Sequence, residues 1–349
     1  MKKEFKTPIT GKSVFVGPDV KEDVIILALE SSCDETACAI VKNGREVLSN
    51  VVASQIKTHR EFGGVVPEVA AREHLESVNL VIAEALEQAN MKPENLTAIA
   101  STVGPGLVGC LLVGLNAAKA MAVVYDKPFI GVNHLNAHVC ANYLDTELEP
   151  PFVALLVSGG HTQIIKVDSY LEQSIIGETI DDATGEAYDK VARLLGLPYP
   201  GGLNLDRMAP NGNPKAYRFT EAKVGEYDFS FSGLKTAVLQ LVQKLKKEYG
   251  DDFPKEDVAA SFQECITKTL FKKTLKAAES IGAKKIALGG GVAANSEIRK
   301  KFFALEEQGY KIYAPAMKYC TDNASMIASA AYFLANTTDS LDVEVFSRC

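Results

Sequence analysis

The chain has 349 residues, 47% hydrophobic and 23% charged, with a net charge of −7 at pH 7. That length favours two domains over one, the composition is that of an ordinary globular protein, and the acidic balance argues against a generally basic nucleic-acid binder. No run of 18 uncharged apolar residues is present, Met1-Lys2-Lys3-Glu4-Phe5-Lys6 offers no signal-peptide core, and seven cysteines without a CxxC pair suit a reducing cytoplasm, so a cytoplasmic protein without membrane contact is expected.

Residues 1–23 hold Pro8, Gly11, Gly17 and Pro18 without a clear period and read as an extension, either a flexible tail or an added edge strand. The run 24–29 is apolar throughout, as in a buried strand. A polar turn, 30–36, leads into the apolar run 37–41, and Lys42-Asn43-Gly44 reverses the chain into 47–53. Asn-Gly between apolar runs is a strong hairpin signal, so three consecutive antiparallel strands are expected. A helical pattern covers 67–90, and a strand at 96–103 ends in Gly104-Pro105-Gly106. A long apolar helix (107–125), a strand (128–132) and a helix from Asn133 follow.

The same order then recurs. A strand at 152–157, a tight turn at 158–162 and a strand at 163–167 precede helices at 184–195, 233–248 and 255–281. A strand at 285–288 runs into Gly289-Gly290-Gly291, a helix starts at Ala293, and a strand (310–313) and helix (322–335) close the chain. A unit doubled at a spacing of about 125 residues predicts two similar lobes with a cleft between them, divided near Pro150-Pro151.

Four segments set glycine or small polar residues directly after an apolar strand, where backbone N–H groups can approach an anion: 31–36, 104–106, 158–162 and 289–295. The turns at 31–36 and 158–162 would clamp phosphates from two sides, and 289–295 would hold the base or sugar of a nucleotide. Neither GxxxxGK[ST] nor GxGxxG occurs, so kinases and dehydrogenases lose their usual anchors. Asp189 and Asp206 are placed either to accept hydrogen bonds from ribose or amino groups, or to cap helices. The stretch 228–236 is either a helix cap with buried phenylalanines or a surface for a planar substrate.

His134 and His138 stand four residues apart at a helix start, on one face, where two imidazoles can hold one ion. Asp322, opening the last helix, is a plausible third ligand, and a His/His/Asp set suits zinc or iron with positions left open. The Glu of H-E-x-x-H is replaced by Leu135, which removes the base of a metallopeptidase. His59 and His74 fit no metal spacing and read as structural. Residues 201–320 carry 20 Lys/Arg against 14 Asp/Glu, so their basic runs are either solvated helix faces or a surface facing phosphates.

Taken together, the motifs at 30–36, 104–107, 134–138, 157–162, 228–236 and 289–295 resemble the TsaD family, the tRNA threonylcarbamoyladenosine (t6A) transferases once called glycoprotein endopeptidases. The resemblance runs from about Val24 to Ala335. It implies an α/β protein of the actin-like ATPase (ASKHA) fold, with two duplicated RNase H-like lobes and an interlobe cleft. Lobe I would comprise 24–149 plus 321–349, lobe II 150–320, with 1–23 as extension. The implied reaction transfers threonylcarbamoyl from threonylcarbamoyl-AMP to N6 of adenosine 37 in tRNAs reading ANN codons, releasing AMP. His134, His138 and Asp322 would bind one Fe2+ or Zn2+ per subunit. Val157, Ser158, Gly159, Gly160, His161, Asp189, Gly202, Asp206 and Asn295 would hold the adenylate or an ATP-type nucleotide. Asp34 and Glu35 would act beside the reacting group; Asp34, Glu35 and His161 stand unranked as general base. Expected partners are tRNA, a TsaB-type paralogue, a TsaE-type ATPase and a TsaC/Sua-type synthase. The chain departs from the family pattern at Leu203, where proline is usual, at 219–223, which replaces a Phe-Pro-Arg-Pro run, and in the 23-residue head.

Overall fold

A computed structural model describes residues 2–333 and 341–347. They fall into two compact units, Met1–Glu149 with Pro315–Cys349, and Pro150–Ala314.

The first unit opens with β1 (Lys3–Lys6) and β2 (Ser13–Val16), an antiparallel pair forming a sheet of its own. The head is therefore neither a loose tail nor an edge strand added to a larger sheet. Phe5 and Val16 are buried, and the hairpin tip is tied down where the amides of Ile9 and Thr10 donate to Asp126 Oδ1 at 2.9 and 3.2 Å. Strands this short carry too few alternations to register as a period.

β3 (Ile25–Glu30), β4 (Glu35–Lys42) and β5 (Glu46–Ser54) form the expected antiparallel meander. After α1 (Ile56–Phe62) and α2 (Pro67–Gln88), β6 (Ala98–Gly104) joins β3 in parallel. α3 (Val108–Val124) crosses over to β7 (Phe129–Asn133), parallel to β6, and α4 (His134–Cys140) follows without a loop.

The second unit repeats this plan. β8 (Phe152–Val157), β9 (Thr162–Val167) and β10 (Gln173–Glu178) are antiparallel neighbours. α5 (Thr184–Leu194), α6 (Gly201–Met208), α7 (Ser232–Tyr249) and α8 (Lys255–Ser280) lead to β11 (Lys285–Gly289), parallel to β8. α9 (Ser296–Phe303) then connects to β12 (Lys311–Tyr313), parallel to β11. α10 (Ala324–Phe333) returns to the first unit.

Strand order is β5-β4-β3-β6-β7 in one sheet and β10-β9-β8-β11-β12 in the other. The two are the same topology, three antiparallel strands followed by two parallel ones, so the doubling read from the sequence is real. Each sheet has its own apolar core, around Leu27, Ile99 and Phe129 in one and Leu155, Phe262 and Leu288 in the other.

Three further elements give no clear sequence signal. β10 is an edge strand whose Ile175 is 54% exposed, so burial leaves no alternation. α1 has a single buried residue, His59, and α6 opens on two glycines. The last helix starts at Ala324 because Asn323 caps it, accepting from the Met326 amide at 3.2 Å; residues 334 and 335 of its expected span lie outside the described residues. The helix expected from Ala293 begins at Ser296, after a 3-10 turn at Gly291–Ala294. Among the described residues no helix is long and apolar enough to cross a membrane.

Candidate functional site

In the first unit, β7 ends at Asn133, whose side chain accepts from the amides of Leu135 and Asn136 at 2.9 and 3.2 Å and starts α4. That N-cap fixes the rotation of a helix only seven residues long. His134 and His138 therefore project together, their rings 4.7 Å apart and edge to face. α10 is buried along its whole length and is bonded to α4 through Ser329 Oγ, which donates to Cys140 O at 3.2 Å. Its leading turn thus brings Asp322 to the histidines. Asp322 Oδ1 lies 3.6 Å from His134 Nε2 and 3.1 Å from His138 Nε2, and one donor atom from each residue falls within 4.8 Å of the others.

The chemistry of this donor set fits a divalent ion. His138 is 1% exposed, and neither of its ring nitrogens has a hydrogen-bond partner among the described residues. Its Nε2 is close to Asp322 but misaligned for a hydrogen bond, the arrangement of groups that point at a common centre rather than at each other. A buried imidazole without a partner is costly; coordination supplies the missing interaction.

A buried carboxylate supports the cluster from behind. Glu30, at the end of β3, is 1% exposed, and its Oε2 lies 3.2 Å from His134 Nδ1. Burial alone would lower the His134 pKa, but Glu30 and Asp322 push it up to about 9. Burial likewise works to raise Asp322, yet the charge of His134 and the His138 ring hold it near about 2.

Two pH effects follow for the metal-free protein. His134 is raised above its unfolded value, so its contribution to stability is complete below about 6.5 and is lost as pH rises through about 9. Asp322 is depressed, so its contribution is present above about 4 and is lost as pH falls toward 2. Metal uptake must displace the His134 proton. Apparent affinity is therefore expected to rise by up to about tenfold per pH unit from about 7 to 9 and to flatten above. Titration calorimetry in buffers of different ionisation enthalpy checks this; metal uptake at pH 7 without proton release would contradict it.

Asp34 ends the turn between β3 and β4 and Glu35 opens β4, Asp34 buried and Glu35 half-buried. His74 holds that turn: its Nε2 donates to Cys33 O at 3.0 Å, and its Nδ1 pairs with Thr36 Oγ1 at 2.7 Å. Burial keeps His74 below the usual imidazole range, hence neutral. Burial, then the carboxylates of Asp322, Asp34 and Glu30, push Glu35 well above the ordinary carboxylate range. Gly106 packs on the same turn, since a Cβ there would lie 2.7 Å from Ser32 O, and Leu107 N donates to Ser32 O at 2.8 Å. The loop at 104–106 is thus part of this site's wall.

In the second unit, the turn after β8 is closed by Ser158 N to His161 O at 2.8 Å and His161 N to Ser158 Oγ at 3.1 Å. Gly159 and Gly160 are exposed, and no atom lies within 4 Å of a Cβ built on either. Gly185 N donates to Ser158 O at 3.1 Å, and Gly290 packs on the Val157 carbonyl. Asp189 Oδ1 accepts from Gly202 N at 3.1 Å.

Asp206 and Asn295 meet. Asn295 Oδ1 caps α9, accepting from Glu297 N and Ile298 N at 3.1 and 3.0 Å. Its Nδ2 lies 2.9 Å from Asp206 Oδ1 and 3.0 Å from Gln263 Oε1. Asp206 also accepts from Ser296 N at 3.0 Å and from Ser296 Oγ at 2.9 Å. Both residues therefore shape the loop before α9 through bonds to each other. Leu203, on α6, is 50% exposed and leaves these bonds intact.

The stretch 228–236 is a helix cap. Phe229 and Phe231 are buried, while Asp181 accepts from Ser230 Oγ at 2.5 Å, Phe231 N at 2.8 Å and Ser232 Oγ at 2.7 Å. His59 is buried against Gln55, as a structural histidine should be. Several lysines of the basic runs lie on exposed helix faces in ion pairs with glutamates, Lys272 with Glu221 at 2.9 Å and Lys276 with Glu226 at 3.0 Å.

The family model for TsaD, described as tRNA N6-adenosine threonylcarbamoyltransferase, matches residues 46–329. The chain belongs to the TsaD family. A relative from Clostridium perfringens (strain SM101 / Type A), named tRNA N6-adenosine threonylcarbamoyltransferase, is 53% identical over 313 residues, covering 88% of this chain and 92% of its own. A relative of the same name from Nostoc sp. (strain PCC 7120) is 54% identical over 315 residues, 88% of this chain and 90% of its own. Among solved structures, HypF from T. kodakarensis matches with a TM-score of 0.63 at 16% identity, covering 94% of this chain and 48% of HypF. A full-length HypF in its phosphate- and nucleotide-bound form gives 0.60 at 14%, covering 96% and 50%. The chain thus spans about half of HypF, and at this identity the likeness concerns the fold, the two-sheet actin-like ATPase architecture. In this TsaD-family chain His74 is structural, as expected, and the residues missed by sequence reasoning are Glu30, Thr102, Gln263 and Ser296. Glu30 alone left a signal, a carboxylate closing an otherwise aliphatic strand.

Proposed function

We propose that this chain transfers a threonylcarbamoyl group from threonylcarbamoyl-AMP to the N6 amine of adenosine 37 in tRNAs reading ANN codons, releasing AMP. The observation that carries this reading is the convergence of His134, His138 and Asp322 in a chain more than half identical to enzymes named for that transfer.

The acyl donor is a mixed anhydride, already activated. The protein's task is to position the amine against the carbonyl and to stabilise negative charge as the bond to AMP breaks. His134 and His138 through Nε2, with Asp322, would hold one divalent ion, zinc or iron, which when bound supplies Lewis acidity toward an oxygen of the donor. The open backbone of Gly159 and Gly160, with Val157, Ser158 and His161 framing it, suits the phosphate of an adenylate. Asp189, Gly202, Asp206 and Asn295 would line the nucleoside end, mainly by shaping backbone. The amine must shed a proton as it acylates. Glu35 and Asp34, in the segment facing the metal ligands, would be the carboxylates placed to accept it. The target base leaves its stack to reach such a site. The two-domain organisation assigned from sequence, a lobe carrying the ion and a lobe carrying the nucleotide, belongs to this reading, as do a TsaB-type paralogue, a TsaE-type ATPase and a TsaC/Sua-type synthase.

The test is reconstitution. Unmodified tRNA is incubated with the chain, the three partner proteins, bicarbonate, threonine and ATP, then digested and analysed by nucleoside mass spectrometry. The expected product is t6A on ANN-reading tRNAs alone; no t6A from this chain, where a Clostridium perfringens relative gives it with the same partners, would overturn the reading.

A further inference from the structure

We propose that Glu30 is the positioning residue of the metal centre: its carboxylate holds the His134 ring so that Nδ1 keeps a proton and Nε2 presents its lone pair to the ion. The proposal rests on the reading that His134, His138 and Asp322 take a divalent cation.

Glu30 occupies the last position of a strand whose other residues are Ile, Leu and Ala, and it is 1% exposed. Packing has no use for a charge there, and burying one is costly unless every oxygen is satisfied. Both oxygens are engaged. Oε1 accepts from the Ser32 amide at 2.6 Å. Oε2 accepts from Thr102 Oγ1 on the neighbouring strand β6 and faces His134 Nδ1 at 3.2 Å. A carboxylate held by donors on its other sides offers the ring only acceptance, so the proton between them resides on Nδ1. Ser32 Oγ, 3.3 Å from the same nitrogen, closes the pocket.

The partner histidine shows what this adds. His138 Nδ1 is buried with no partner among the described residues, so its tautomer is fixed by nothing comparable. One ligand is oriented by a hydrogen-bonded carboxylate and the other by packing. Carboxylate–histidine pairs behind metal ligands make the ligand more basic and lock its orientation, and their loss weakens metal affinity by about 10–100-fold. Glu30 also brings a buried negative charge to the site beside that of the half-buried Asp322, which a divalent cation would balance.

The test compares full-length wild type with Glu30→Gln and His138→Ala, using Zn2+ affinity by chelator competition and the visible spectrum of the Co2+-loaded protein. Glu30→Gln keeps shape and removes charge. It is expected to weaken Zn2+ binding by about 10–100-fold and to shift the Co2+ bands, which a merely structural role would leave in place. If Glu30→Gln does not fold, Thr102→Val decides. It removes the hydroxyl that donates to Glu30 Oε2 and is expected to weaken Zn2+ several-fold; unchanged affinity in the folded variant overturns the proposal. Should His138→Ala lose the metal while Glu30→Gln retains wild-type affinity and spectrum, Glu30 has no positioning role and the metal reading survives. Should wild type take up no Zn2+, or His138→Ala bind as wild type does, both fall together.

Discussion

His138→Ala is expected to lose metal binding by on the order of a hundredfold or more and to drop t6A formation with it, while the protein stays folded. A four-ligand zinc site is worth about 10–16 kcal/mol, or about 2.5–4 kcal/mol per ligand, so removing one of three protein ligands costs on the order of a hundredfold even if water replaces it. The stability cost is small by comparison. The ring nitrogens make no aligned hydrogen bond, so the loss is packing, about 2 kcal/mol, together with the part of the Asp322 stabilisation that the ring supplies. His134→Ala should differ in kind. It removes the same metal ligand count but leaves Glu30 buried beside an empty space, with the penalty of about 3–5 kcal/mol that attends a broken buried pair. Denaturant midpoints of the two variants, with Zn2+ affinity and nucleoside mass spectrometry, separate these effects. Full product formation by metal-free His138→Ala would remove the ion from the chemistry, and equal midpoints would deny that Glu30 and His134 act as a pair.

That contrast also marks how far the sequence could be read. The histidine pair was legible because one helix fixes the spacing, and the repeated strand–turn–strand pattern was legible because each unit's central strands are apolar throughout. Asp322 lies far along the chain, and its place as third ligand came from its position at a helix start and from family resemblance. Glu30 could not be assigned a role, because its partners arrive from β6 and α4, and only the β3–β6 and β6–β7 pairings put Thr102 and His134 beside it. Asp206 and Asn295 could be named from the sequence as candidates but not as partners of each other, since a carboxylate free for ribose and one bonded to the next loop look alike in sequence. The stretch 228–236 left two readings open, and burial of both phenylalanines decides for the cap. The N-terminal hairpin hid for the opposite reason, its anchoring residue Asp126 being a turn residue with no pattern of its own.

Gly290→Ala is expected to destabilise the second unit by about 3–5 kcal/mol, through backbone strain and overpacking together. Gly290 has φ 85° and ψ 164°, a region that essentially only glycine enters. An added Cβ would stand 2.3 Å from the Val157 carbonyl oxygen and 2.8 Å from its carbon, a clash with backbone that no rotamer change relieves. β11 pairs with β8 up to Gly289 and Leu156, so the ladder cannot simply open at that point. The strain must instead move the turn at 158–161, the segment proposed to receive the adenylate phosphate. Thermal midpoint should fall by about 6–20 °C, at about 2–4 °C per kcal/mol for a unit of this size, and affinity for an adenylate should fall with it. Zn2+ affinity should stay as in wild type, because all three ligands belong to the first unit. Gly291→Ala supplies the control: no atom lies within 4 Å of a Cβ built there and its φ is not left-handed, so its midpoint should shift by less than about 2 °C. If the two alanine variants melt together, the strand-to-loop junction at Gly290 is not what shapes the turn, and the phosphate cradle loses its structural basis.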